Sequence, residues 1–152
     1  MNKILDAQLM AERLESLKAG IVGGLSLGFA FVITSWINSF VLAKYFPILA
    51  DLQIAVNWHW LVNGAIASFS GLLFGVTYRY IIRSDQNFQL KSGAVMAFGL
   101  VRGLTQIEVG WNNDAILTYI VLAGESVLWF AMAAIAVDIA IQQGWIKTFS
   151  ST

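Results

Sequence analysis

The run AILTYIVLAGESVLWFAMAAIAVDIAI, Ala115 to Ile141, decides the fold. Glu125 and Asp138 are its only charges, and it exceeds the ~20 apolar residues a helix needs to cross a hydrocarbon core ~30 Å thick. Three similar stretches precede it: Leu17 to Ala43, Trp58 to Ile82 and Leu90 to Gly110. Together they fill most of the 152 residues and predict an all-α integral membrane protein, a four-helix transmembrane bundle open to an arrangement as two tandem helical hairpins. The boundaries follow: a short N-terminal amphipathic, interfacial or solvated helix over 1–16, a four-span domain over 17–143 and a C-terminal tail over 144–152.

Composition agrees. Apolar residues make up 58% of the chain and charged residues 12%, about half the ~25% usual in soluble domains. Nine basic and nine acidic residues cancel, so no strong field attracts nucleic acid. The absence of Cys excludes disulfides and thiolate metal sites, and a single His excludes a His-rich metal centre. Lys3, Asp6, Glu12, Arg13, Glu15 and Lys18 charge the approach to the first span. That span is too long for a signal-peptide core and lacks a small-residue cleavage site, so it is expected to be retained. Before it, Ala7, Met10, Leu14 and Leu17 share one helical face, which predicts either an interfacial or partner-binding helix or simply the solvated start of the first span.

Loop charge sets an orientation. Lys3, Arg13, Lys18, Arg79, Arg83, Lys91 and Lys147 flank one side of the membrane and Lys44 alone flanks the other, because the third loop, around Trp111, Asn112, Asn113 and Asp114, has no Lys or Arg. Basic residues stay cytoplasmic, which predicts both termini on the cytoplasmic or stromal side. Tyr45, Trp58, Trp60 and Trp111 are expected as outer interfacial anchors, and Tyr78, Tyr80 and Trp145 as inner ones.

Small residues recur at four-residue spacing: Gly20, Gly24 and Gly28 on the first span, Ala67, Gly71 and Gly75 on the second, Gly99 and Gly103 on the third. In lipid such ridges let backbones approach closely, and with three helices carrying one the expected use is packing within this bundle rather than dimerisation. Leu17-Lys18-Ala19-Gly20-Ile21-Val22 is echoed by Leu90-Lys91-Ser92-Gly93-Ala94-Val95, a faint internal repeat that either records a duplicated hairpin or is coincidence.

The residues with chemical potential are few. Arg102 lies about ten residues before the turn at Asn112 and Asn113, and Glu125 about twelve after it, which puts them roughly 16 and 19 Å from that turn and near mid-membrane. Charges at that depth are costly, so the expectation is an intramembrane charged pair, Arg102 with Glu125, flanked by a polar seam of Ser92 and Gln106. Three uses compete: a salt bridge fixing the hairpin, a proton or cation site at Glu125 tuned by Arg102, or ligation of a pigment's metal. The last lacks the Glu-x-x-(Asn/His)-x-Arg pattern of light-harvesting helices. His59, between Trp58 and Trp60, is expected at headgroup level. Glu108 and Asp114 are expected to be solvated, and Asp138 to reach the interface or pair with Arg79 or Arg83. Asn38 and Asn63 are placed to bond across the first two helices. No catalytic set and no metal-ligating set assembles from these residues.

The stretch Ala11-Glu12-Arg13-Leu14-Glu15-Ser16-Leu17-Lys18-Ala19-Gly20 and the later Leu100-Val101-Arg102-Gly103-Leu104 resemble small four-span membrane proteins of cyanobacteria and plastids. The resemblance implies a thylakoid or plasma-membrane location and a link to photosynthetic complexes, and it assigns no functional residue. The expected function is a non-enzymatic accessory or assembly protein packed against a larger membrane complex, through other membrane subunits or self-association within the bilayer. The alternative is a small oligomeric transporter or channel subunit with an Arg/Glu polar path. No cofactor is predicted; bound chlorophyll or carotenoid stays an option without a supporting motif.

Overall fold

In the computed structural model, residues 1–83, 87–112 and 114–149 are described. Asn113, the expected turn centre, and 150–152 of the tail lie outside them. Four long helices account for most of the chain, with no strand among the described residues. Helix α1 runs unbroken from Asn2 to Tyr45, its regular turns passing through a π-helical turn at Asn38–Leu42. A short 3-10 segment, Pro47–Leu52, leads to α2 (Trp58–Ile82), α3 (Phe88–Gly110) and α4 (Ile116–Gln142).

Local chemistry sets these boundaries. The one Pro stands at the first position of the 3-10 segment, after Phe46 in extended conformation, as the ring's clash with the preceding residue requires. Asn57 caps α2 by accepting from the Trp60 amide at 3.1 Å, and Asn87 caps α3 by accepting from the Gln89 amide at 2.9 Å. Gly144, at φ 77°, ends α4 in the left-handed conformation open to glycine, and the amides of Trp145 and Ile146 turn back to the Ala140 carbonyl. That reversal returns Ile146, only 2% exposed, to the core.

Three helices, Asn2–Tyr45, Trp58–Ile82 and Ile116–Gln142, are long and apolar enough to cross a membrane. The sequence reading counted a fourth at Leu90–Gly110. Helix α3 has the length, but Lys91, Arg102, Gln106 and Glu108 dilute its apolar character below that of the other three. Large apolar side chains point outward, Leu25 being 71% and Leu128 62% exposed, while the centre is lined by Ala, Gly and a few aromatics. Such a surface suits lipid rather than water.

Of the two readings of residues 1–16, the structure has the continuous one: the segment is the first four turns of α1. At 1.5 Å per residue, 44 residues extend about 66 Å, roughly twice the hydrocarbon thickness, so part of α1 must project.

Packing is built on the small residues. A Cβ on Gly23 or Gly71 would run into the other's carbonyl, and one on Gly75 into the Ala19 carbonyl, so α1 and α2 lie backbone to backbone. Gly20 faces Val76 and Leu72, Gly24 and Gly28 face Ser68, and Ala67 is fully buried. Gly99 lies against Val127 and Gly103 against Ala123, which closes α3 onto α4. Helices α1 and α4 then join the two hairpins. Where α2, α3 and α4 meet, Phe74 packs edge-on against Phe98 and Phe130, with ring centroids 5.3 and 5.2 Å away. The two copies of the faint repeat differ in use: Gly20 is a tight contact, whereas Gly93 faces open space.

Candidate functional site

Arg102 and Glu125 do not meet. Among the described residues the ion pairs are Lys18–Glu15, Arg79–Glu12 and Lys91–Asp138. The Arg102 guanidinium instead lies over the Trp129 ring, 5.3 Å from its centroid, with Nε buried and unpartnered. Glu125 accepts a hydrogen bond from Asn38 Nδ2 of α1 at 3.2 Å. The reason is rotational. Ala123 and Val127 face α3 through Gly103 and Gly99, and Glu125, two residues from each, is turned about 200° away on a helix of 3.6 residues per turn. Its depth matches that of Arg102, but its direction does not.

Glu125 faces a pocket of about 170 Å³ between α1, α2 and α4, mostly apolar but carrying Asn38, Asp51 and Glu125, and roofed by Asp51 to Ile54 of the α1–α2 connection. The π-helical turn begins at Asn38, whose side chain lies in this pocket at 3% exposure with Oδ1 unpartnered. Such turns are frequent at functional positions. Trp60 Nε1 donates to Ser35 Oγ at 3.2 Å, and the Ile54 amide donates to Ser39 Oγ at 3.4 Å, which fixes the wall and the roof. Trp129 completes the lining, 5% exposed, its indole N–H without a partner.

The expected polar seam is split. Arg102 and Gln106 line a separate cleft of about 550 Å³ between α2 and α3, largely apolar along Leu73, Phe98 and Phe130. Ser92 is not part of it; its hydroxyl bonds back to the Gln89 carbonyl at 3.2 Å. Asn63 lines both cavities, while the side-chain amide of Asn38 is committed to Glu125 rather than to Asn63. His59, Glu108 and Asp114 are exposed.

The end of the bundle where Glu12 and Lys147 lie holds a cluster that sequence reasoning missed. Arg79, counted as a loop-flanking charge, is completely buried. Its Nη2 donates to Glu12 Oε2 at 2.6 Å, Nη1 to Ser16 Oγ at 2.8 Å and Nε to the Lys147 carbonyl at 2.8 Å. The Lys147 amide in turn donates to Glu15 Oε2 at 2.8 Å, so the C-terminal segment is clasped to α1. The signal was present: the ridge Ala67, Gly71, Gly75 reaches Arg79 at its next four-residue step, and Gly28, Gly24, Gly20 reaches Ser16 and Glu12. Asp138 pairs with neither Arg79 nor Arg83. It accepts from Lys91 Nζ at 2.9 Å and from the Tyr78 hydroxyl at 3.2 Å. Tyr78, expected as an interfacial anchor, is therefore a buried core residue, 1% exposed.

Comparison with protein-family models, curated proteins and solved structures finds no match to this chain. The geometry defines a helical membrane protein with a carboxylate-bearing pocket between α1, α2 and α4 and a charged clasp at one end.

Proposed function

We propose that this chain is a four-span membrane protein of a thylakoid or plasma membrane that serves, without catalysis, as an accessory or assembly subunit beside a larger membrane complex. One observation carries the reading. Residues 1–11 form a helical arm, exposed throughout, that stands beyond the first interhelical contact at Glu12 and displays Ile4, Leu5, Leu9 and Met10 to the surroundings. An isolated helix of that length is marginal in water, so its apolar residues call for a surface to rest on. The lateral contact of α3 with α4, from Lys91–Asp138 to Gly103–Ala123, supports α3 as the fourth crossing, since α4 would carry it through the same depth. Stacking on Trp129 eases the burial of Arg102 in that crossing.

The test is purification in mild detergent from native membranes, comparing the full chain with a variant lacking residues 2–11. The full chain should co-migrate with a much larger assembly, and the shortened chain should insert but migrate alone. Equal migration of the two as one small species overturns the accessory role. A second reading, a small oligomeric transporter or channel subunit, is favoured by the pocket that holds the Glu125 carboxylate; a symmetric homo-oligomer in the same experiment would select it.

A further inference from the structure

The pocket at Glu125 has the composition of a cation site. Its carboxylates are Glu125 and Asp51, and no Lys or Arg lines it. Two further walls are aromatic, Phe31 and Trp60, with ring centroids 5.3 Å apart. A desolvated organic cation gains from both features at once, the carboxylate supplying countercharge and the ring faces their negative quadrupole. Glu125 has only the Asn38 amide as its neutral partner, so a bound cation would neutralise it at a depth where an uncompensated charge is costly.

The unpartnered atoms narrow the chemistry. Asn38 Oδ1 is an acceptor on a 97%-buried side chain, and a buried acceptor demands a donor. A quaternary ammonium has no N–H to offer; a protonated primary amine has three. The Trp129 indole N–H, also unpartnered, is a donor for a hydroxyl or water accompanying the amine. Arg102 touches Trp129 but does not line the pocket, so the cation contact falls to Phe31 and Trp60. Hard metal ions fit poorly, since they take six or more oxygens and no group of three or more acidic, His or Cys side chains that could hold a metal occurs among the described residues. The volume of about 170 Å³ suits a small amine and not a lipid.

We infer that the pocket formed by Glu125, Asn38, Phe31, Trp60 and Trp129 is a binding site for a small protonated primary amine, reached from the side of the α1–α2 connection where Asp51 lies. This goes beyond the accessory role and does not depend on it.

The purified full chain in nanodiscs is titrated with ethylammonium chloride while tryptophan fluorescence is read, with sodium chloride and tetramethylammonium chloride as comparators at equal ionic strength. The expected result is a saturable change with ethylammonium, at least tenfold weaker with tetramethylammonium and absent with sodium. Glu125→Gln, which keeps an acceptor for Asn38, should weaken ethylammonium at least tenfold, and Thr105→Val, in the separate cleft, should leave it unchanged. A second measurement needs no variant: dicyclohexylcarbodiimide labelling of Glu125 in the unaltered chain, located by mass spectrometry, should be slowed by ethylammonium and not by sodium. No saturable change with ethylammonium, an equal response to sodium, unaltered affinity in folded Glu125→Gln, or labelling that ethylammonium does not slow would each overturn the assignment. Equal binding of tetramethylammonium would overturn the role given to Asn38.

Discussion

Arg79 Nη2 donates to Glu12 Oε2 across 2.6 Å, from a guanidinium that is completely buried to a carboxylate that is partly open. The contact continues the glycine seam between α1 and α2. Where the glycine ridges end, the same faces carry Ser16, Glu12 and Arg79, and a buried, hydrogen-bonded guanidinium takes over from backbone contact. With Lys147 and Ile146 drawn in, this corner ties both ends of the chain to α2.

Arg79→Ala should therefore be among the most damaging substitutions, at about 3–5 kcal/mol, because it empties a completely buried site and leaves Ser16, the Lys147 carbonyl and the partly open Glu12 without their donor. Arg79→Lys should recover only a minority of the loss, since one ammonium cannot reproduce donations to Glu12, Ser16 and the Lys147 carbonyl together. Thermal unfolding in detergent, followed by circular dichroism, measures both.

Gly75→Leu and Gly23→Val should destabilise by about 1–3 kcal/mol or more, as overpacked contacts do, because their new side chains meet the facing backbone. Gly93→Ala, facing open space, should instead be neutral or stabilising by up to about 1 kcal/mol through helix propensity. A similar loss at all three sites would contradict the seam.

The double-mutant cycle for Arg102→Ala and Glu125→Ala should be additive within about 0.5 kcal/mol, because the two side chains make no contact and Glu125 bonds Asn38 instead. The cycle for Asn38→Ala and Glu125→Ala should show coupling of about 0.6 kcal/mol, typical of interhelical hydrogen bonds in membranes. Strong coupling in the first cycle would restore the charged pair expected from sequence.

Ile146→Ala should cost about 2–5 kcal/mol, the range for truncating a buried large aliphatic side chain. Trp145→Ala, 69% exposed, should cost far less. Urea unfolding of the two variants against the parent distinguishes a folded-back tail from a free one.

Four crossings predict both termini on one side. Because the chain has no Cys, a single cysteine at Asn2, at Ile48 or at Thr148 can be labelled with an impermeant maleimide in oriented vesicles without background. Positions 2 and 148 should label together, and position 48 from the opposite face. Labelling of positions 2 and 148 from opposite faces would show three crossings and place α3 outside the bilayer.

Much of this protein was legible in residue order. Apolar length and the scarcity of charge specify a helical membrane protein; the Asn57 and Asn87 caps and the ring of Pro47 would have marked where segments begin, had they been read. The four-residue ridges named the packing faces of α1, α2 and α3 and, extended one step, would have found Arg79. Depth was legible too, because rise along a helix simply adds residue by residue. Only the tertiary structure decided direction around each axis. Helix α4 carries no glycine ridge to announce its face toward α3, so nothing in the order of residues showed that Ala123 and Val127 would take that face and turn Glu125 toward Asn38. Two charges at one depth looked like partners; the rotation of α4, set by backbone approach at Gly99 and Gly103, gave one an aromatic ring and the other an amide.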